Sequence, residues 1–158
     1  MKVREIMTSS PTCCTPETSL QEVARMMVDN DCGPIPVIDD SRARRPVGVV
    51  TDRDIVCRAV AQGKNPAEMT ARDVMSAPAV TVRPDMQIED CGRVLEEKQI
   101  RRAPVANDKG ECCGIVSLAD IAQTGPEKLT GEIVRSVSQR TVWPNGQGEE
   151  RREFGLGR

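Results

Sequence analysis

The chain has 158 residues, 38% hydrophobic and 29% charged, with a formal net charge of −2; this suits one folded domain or two small interdependent units, not a disordered chain. It contains no histidine, which excludes Ser-His-Asp and Cys-His catalysis, HExxH zinc sites and every imidazole ligand. The acidic balance and the scarcity of aromatics (Trp143 and Phe154) argue against a nucleic-acid partner, and no apolar run approaches the ~20 residues that span a bilayer.

The opening residues Met1-Lys2-Val3-Arg4-Glu5 carry no apolar signal core, so a cytoplasmic location is expected. Seven cysteines, an odd number with no CxxC, then read as reduced thiols. Adjacent residues of a strand point to opposite faces, so neither Cys13-Cys14 nor Cys112-Cys113 is expected to share a metal, and most thiols are expected to fill core positions. A thiol enzyme or redox switch on either pair would lack the His partner or CxxC spacing that lowers a thiol pKa.

In chain order, the sequence predicts a short extended segment over 12–15 and a helix over about 19–30. Thr18 and Gln21 have capping-box spacing for that helix, and Leu20, Val23, Ala24, Met26 and Met27 share one of its faces. Two β-branched runs over 35–38 and 47–50 flank a polar turn and read as an antiparallel pair. A helix over 52–62 follows, with Gly63 suited to its C-terminal cap. The same order then recurs: strand 80–82, helix 86–98, strands 103–106 and 114–116, helix 118–123.

This recurrence is an internal repeat. Arg4-Glu5-Ile6-Met7 matches Arg72-Asp73-Val74-Met75 at an offset of 68, as Pro36-Val37 matches Pro104-Val105. The offset falls to 66 beyond the loop Asp39–Pro46, where Gly48-Val49-Val50-Thr51 and Asp54 match Gly114-Ile115-Val116-Ser117 and Asp120. Each unit is too small to bury enough surface alone. The two are therefore expected to pack with pseudo-two-fold symmetry in an α/β (α+β) fold, each unit β-α-β-β-α. The expected divisions are residues 1–68, 69–126, an amphipathic helix over 127–142 carrying Leu129, Ile133, Val134 and Val137, and a flexible tail over 143–158.

The informative chemistry lies at the two strand-to-helix junctions. Thr51 and Ser117 are hydroxyl residues at the end of an apolar strand, each followed three residues later by an acid, Asp54 or Asp120. Unpaired N–H groups at a helix start suit phosphate, and a carboxylate on the same rim suits the vicinal hydroxyls of ribose. The same spacing also describes a capping box worth about 1 kcal/mol. Recurrence at equivalent places favours nucleotide binding, with the capping role kept open.

With these motifs, together with Glu5-Ile6-Met7, Asp73-Val74-Met75, Pro34-Ile35-Pro36-Val37-Ile38-Asp39 and Arg102-Ala103-Pro104-Val105, residues 1–125 resemble a tandem pair of CBS domains (a Bateman module). The layout is similar to small stand-alone bacterial CBS-pair proteins of the hypoxic-response type. The resemblance implies a non-enzymatic regulatory module that needs no cofactor and binds adenosine-containing ligands (AMP, ADP, ATP, S-adenosylmethionine or a dinucleotide) between the repeats. It places Asp54 and Asp120 on ribose, Thr51 and Ser117 on ribose or phosphate, Arg101 and Arg102 on phosphate with Arg53 as a second candidate, and the backbone near Thr12 and Val80 at the adenine edge. It also implies a homodimer formed through helical faces, acting on a separate effector protein. The alternative is a structural or interaction dimer with vestigial sites. The first repeat carries Asp31-Cys32-Gly33-Pro34 where the second carries Gln99-Ile100-Arg101-Arg102, so the two sites are expected to differ.

Overall fold

The computed structural model describes residues 1–39, 42–125 and 127–137. Five strands and six α-helices follow in the order β1 Thr8–Ser9, α1 Leu20–Asp29, β2 Pro34–Ile38, β3 Pro46–Thr51, α2 Asp52–Arg58, α3 Ala71–Val74, α4 Ile88–Glu97, β4 Arg102–Ala106, β5 Cys112–Ser117, α5 Leu118–Thr124 and α6 Glu127–Val137. Each repeat supplies an antiparallel hairpin, β2–β3 or β4–β5. Both hairpins shift register at equivalent places, Val37/Ile38 and Val105/Ala106.

The expected first strands shrink to single parallel bridges, Cys14 with Val37 and Val82 with Val105, because Pro16 and Pro84 leave too little chain for a ladder. Helix α1 begins one residue later than the capping pattern suggests. Ser19 Oγ, not Thr18, accepts from the Glu22 amide at 3.2 Å, while Thr18 Oγ1 accepts from the Thr15 amide at 3.0 Å. Leu20, Val23 and Met27 are buried as predicted, but Ala24 is exposed. The helix expected over 52–62 stops at Arg58 and continues as a 3-10 turn, Val60–Gln62, which Gly63 ends at φ 67°.

The sequence repeats do not pack as closed units, because each opening segment crosses into the other repeat's core. The Val3 amide donates to the Met86 carbonyl at 2.9 Å and β1 pairs with β5, while the Ala71 amide donates to the Thr18 carbonyl at 2.8 Å. Val3 accordingly packs with Val82, Leu95, Val105 and Val116, whereas Ala71 and Val74 pack with Leu20, Val23, Val37 and Val50. This exchange of the Ile6-Met7 and Val74-Met75 segments joins two marginal units into one body.

Glycines at the hairpins permit the exchange. A Cβ on Gly48 would lie 2.9 Å from the Ser76 carbonyl, and one on Gly114 would lie 2.5 Å from Met7 Sδ. Helix α6 then covers the second core through Ile133, which is 2% exposed, while Val134 stays exposed. The expectation for residues 143–158 falls outside the described residues.

Candidate functional site

The exchange leaves two clefts at the line where the repeats meet, and each draws residues from both. The first, of about 340 Å³, is lined by Thr51, Arg53 and Asp54 from the first junction, by Ser76, Pro78, Ala79 and Val80, and by Gln99–Arg102 leading into β4. The second, of about 450 Å³, is lined by Ser117 and Asp120, by Thr8, Ser10 and Thr12, and by Asn30–Pro34 together with Arg102. All nine residues singled out in the sequence therefore line one cleft or the other. The cations at the start of β4 share a cleft with the acid of the opposite repeat, a pairing the repeat alignment did not reveal.

Equivalent chain reversals deliver these walls. Asp31 and Gln99 both adopt the left-handed region, at φ 48° and 52°. The next amides, Cys32 and Ile100, donate back to the Met27 and Leu95 carbonyls at 3.0 Å each. The helix thus closes with a left-handed residue and the chain turns directly into β2 or β4.

At both junctions the hydroxyl and the acid form a reciprocal cap. Asp54 Oδ2 accepts from the Thr51 amide at 2.9 Å, and Thr51 Oγ1 accepts from the Asp54 amide at 3.1 Å. Asp120 Oδ2 accepts from the Ser117 amide and hydroxyl, both at 2.7 Å, and Ser117 Oγ accepts from the Asp120 amide at 3.2 Å. The second carboxylate oxygens differ. Asp54 Oδ1 lies 3.7 Å from Arg58 Nη2 and the residue is 7% exposed. Asp120 is half-buried, and among the described residues its Oδ1 has no hydrogen-bond partner.

The helix start does not offer the free amides that the sequence suggests. In α2 the Asp52 amide donates to the Gly33 carbonyl at 3.0 Å, the Arg53 amide to Asp52 Oδ1 at 2.9 Å, and the Asp54 amide to Thr51. In α5 the Leu118 amide donates to the Arg101 carbonyl at 2.8 Å. Carbonyls just ahead of the paired strand and capping side chains have consumed these donors, and the guanidinium-bearing residues that line the first cleft are Arg53, Arg101 and Arg102. Such groups make the stronger, charge-assisted bonds.

The clefts are unequal in charge. The first holds three arginines among its lining residues and the second only Arg102, with Asp31 where the first has Gln99. Arg102 lies in both walls. The absent side chain of Gly33 makes room for it, since a Cβ there would sit 3.1 Å from both Arg102 Nη1 and Asp52 Oδ1.

Two residues at the first cleft, Ser76 on its wall and Arg58 behind it, had no place in the sequence reading. Arg58 stands behind Asp54 and donates to the Val74 carbonyl at 2.6 Å and to Ser76 Oγ at 3.2 Å, tying α2 to the crossing segment. Its signal was the acid–arginine spacing of four residues, common on any helix surface. Ser76 had no signal, because a crossover places it.

Two hairpin-bearing repeats with exchanged opening segments and two inter-repeat clefts define a pseudo-symmetric tandem pair. The chain belongs to the CBS-domain family, whose model matches residues 3–60 and 71–126. It is 39% identical over 123 residues to an uncharacterized protein of Methanopyrus kandleri, 78% of this chain and 59% of that one. It is 35% identical over 141 residues to the CBS domain-containing protein YhcV of Bacillus subtilis, 89% of this chain and 97% of that one. Hypoxic response protein 1 of Mycobacterium tuberculosis is 34% identical, over 85% of this chain and 92% of that one. Among solved structures, a crystal structure of Hypoxic Response Protein I with two coordinated zinc ions superposes with a TM-score of 0.70 at 34% identity, covering 80% of this chain and all of that one. CBSX2 in complex with AMP superposes with a TM-score of 0.65 at 26% identity, covering 77% and 93%. Among the described residues of this chain, no three His, Cys, Asp or Glu side chains are grouped to hold a metal ion, and no helix is long and apolar enough to cross a membrane.

Proposed function

We propose that the chain is a regulatory module that binds an adenosine-containing nucleotide and catalyses nothing. One observation carries this reading: Thr51 and Asp54 of one repeat share a cleft of about 340 Å³ with Arg101 and Arg102 of the other. A carboxylate with lone pairs to spare suits the ribose hydroxyls, the guanidinium groups suit phosphate, and the apolar stretch Pro78–Val80 suits the base. The AMP complex of CBSX2 supports the same ligand class. The first cleft, with its cations, is the stronger phosphate site, and the second suits a ligand of lower charge.

Nucleotide at 100 times its dissociation constant stabilises the fold by about 2.7 kcal/mol. Thermal-shift and calorimetric titrations with AMP, ADP, ATP, S-adenosylmethionine and NAD test the proposal. A raised melting temperature that Arg101→Ala diminishes supports it, and no shift with any of the five at millimolar concentration refutes it.

The module is further proposed to be a cytoplasmic homodimer that signals through a separate effector protein. Val56 in α2 and Val60 in the 3-10 turn after it, each 56% exposed, supply an apolar face for the second copy. Light scattering on Val56→Glu tests this face, with loss of dimer expected.

The second reading is a structural or interaction dimer with vestigial sites. The reciprocal caps at Thr51–Asp54 and Ser117–Asp120 favour it, since those four residues already have a stabilising role without ligand. A fold that Asp120→Ala destabilises, in a chain whose stability no nucleotide alters, would select it.

A further inference from the structure

A third cavity, of about 820 Å³, is lined by residues 10–15 of the first repeat, by Arg44, and by Asn107, Glu111, Cys112 and Cys113 of the second. Four thiols reach its walls, and they are not equivalent. Cys14 is 3% exposed and packs into the first core, and Cys113 Sγ donates to the Val105 carbonyl at 3.4 Å. Cys13 and Cys112, from different repeats, are side-chain neighbours on the cavity wall, and each thiol donates to a carbonyl of its own repeat, Cys13 to Pro11 at 3.3 Å and Cys112 to Gly114 at 3.7 Å.

Arg44 completes the arrangement. Its Nη2 lies 3.9 Å from Cys13 Sγ, and its backbone is held in the left-handed region at φ 48° by a 2.7 Å hydrogen bond from the Cys112 amide to its carbonyl. The loop that breaks the repeat, two residues longer in the first copy, is the one that carries this arginine. The acid on the cavity wall, Glu111, is engaged elsewhere, with Oε2 accepting from Asn107 Nδ2 at 2.8 Å.

We propose that Cys13 and Cys112 form a reversible thiol–disulfide pair, oxidised by hydroperoxides, that covalently staples the first repeat to the second. Cys13 is the attacking thiol and Cys112 the resolving one. The neighbouring Cys112 side chain and the charge of Arg44, 3.9 Å away, hold the Cys13 thiol below its ordinary pKa, outweighing burial and the neighbouring Cys14. The neighbouring Cys13 and burial push Cys112 up, so it stays protonated, with its thiol on the Gly114 carbonyl. A thiolate beside a guanidinium is the form that reacts with peroxide.

In the first step, the Cys13 thiolate sulfur attacks one oxygen of the hydroperoxide. The O–O bond breaks, and the alkoxide or hydroxide leaves with the proton that Cys13 released on ionising. Cys13 is now a sulfenic acid. In the second step, the Cys112 sulfur loses its proton and attacks the Cys13 sulfur. The S–O bond breaks, and the departing hydroxide takes that proton as water. Two thiols have lost two electrons and the hydroperoxide has gained them. Exchange with a small dithiol restores both cysteines.

The test is peptide mapping, under non-reducing conditions, of the full reduced chain after one equivalent of hydrogen peroxide. The expected product is one intramolecular disulfide, Cys13 to Cys112. A dimedone-type reagent is expected to trap a sulfenic acid at Cys13 in Cys112→Ser and in Cys112→Ala, and Arg44→Gln is expected to slow Cys13 oxidation severalfold while leaving the circular dichroism spectrum unchanged. Competitive alkylation of the unaltered protein needs no variant. Cys13 is expected to be labelled well ahead of Cys14 and Cys91, which burial pushes up to about 11. Cys13 pairing with another cysteine, staying reduced while other thiols oxidise, or alkylating no faster than Cys14 would each overturn the proposal.

Discussion

Asp54 and Asp120 occupy equivalent caps in the two repeats, yet only Asp54 has an arginine behind it, with Arg58 Nη2 3.7 Å from Oδ1. The half-buried Asp120 lines the second cleft, and its Oδ2 is the oxygen held in the cap. One residue pattern thus yields two differently committed carboxylates.

Both substitutions to alanine remove a cap, at about 1 kcal/mol each. Asp54→Ala also leaves Arg58 without its carboxylate in a partly buried setting, so its loss is expected to be larger, at about 1–3 kcal/mol. Paired urea denaturation curves check the order, and equal midpoints for the two variants would contradict it.

Arg102 lines both clefts and Arg101 only the first. With the nucleotide that binds best, Arg101→Ala is expected to weaken one class of site by roughly tenfold, on the scale of a charge-assisted hydrogen bond. Arg102→Ala is expected to weaken both. Isothermal titration resolves the two classes, and the prediction fails if Arg102→Ala leaves the weaker site untouched.

The glycines that admit the crossing segments should not tolerate a methyl equally. Gly48→Ala drives Cβ toward the fixed Ser76 carbonyl, whereas Gly114→Ala meets chiefly the flexible end of Met7. We expect Gly48→Ala to cost about 1–3 kcal/mol and Gly114→Ala less. Thermal melts of the two variants provide the comparison.

Helix α6 is held where α4 carries no side chain. A Cβ on Gly92 would fall 2.2 Å from Ile133 Cδ1, so Gly92→Ala is expected to dislodge α6 while leaving both hairpins in place. Hydrogen exchange should show lost protection in residues 127–137 and retained protection in β4 and β5. Ile133→Ala, which empties the same contact, should cost about 2–5 kcal/mol.

Local patterns disclosed much of this molecule. The duplicated Gly-apolar-apolar-hydroxyl-x-x-Asp junction, the hairpins and the apolar face of α1 depend on contacts within a few residues, so periodicity and capping chemistry reveal them. The parts that needed the fold arise between repeats. The crossing of Val3 and Val74 into opposite cores, the transfer of Arg101 and Arg102 to Asp54's cleft and the meeting of Cys13 with Cys112 involve partners far apart in the chain.

From its residues alone the chain determined that it is duplicated, histidine-free and furnished with two hydroxyl–acid corners. Tertiary structure decided which corner faces which cation, that the first amides of α2 are already spent, and that a loop arginine sits on one thiol. The reason is steric and electrostatic: a repeat pattern specifies each half, but burial of the crossing segments sets how the halves meet and which charges share a cleft.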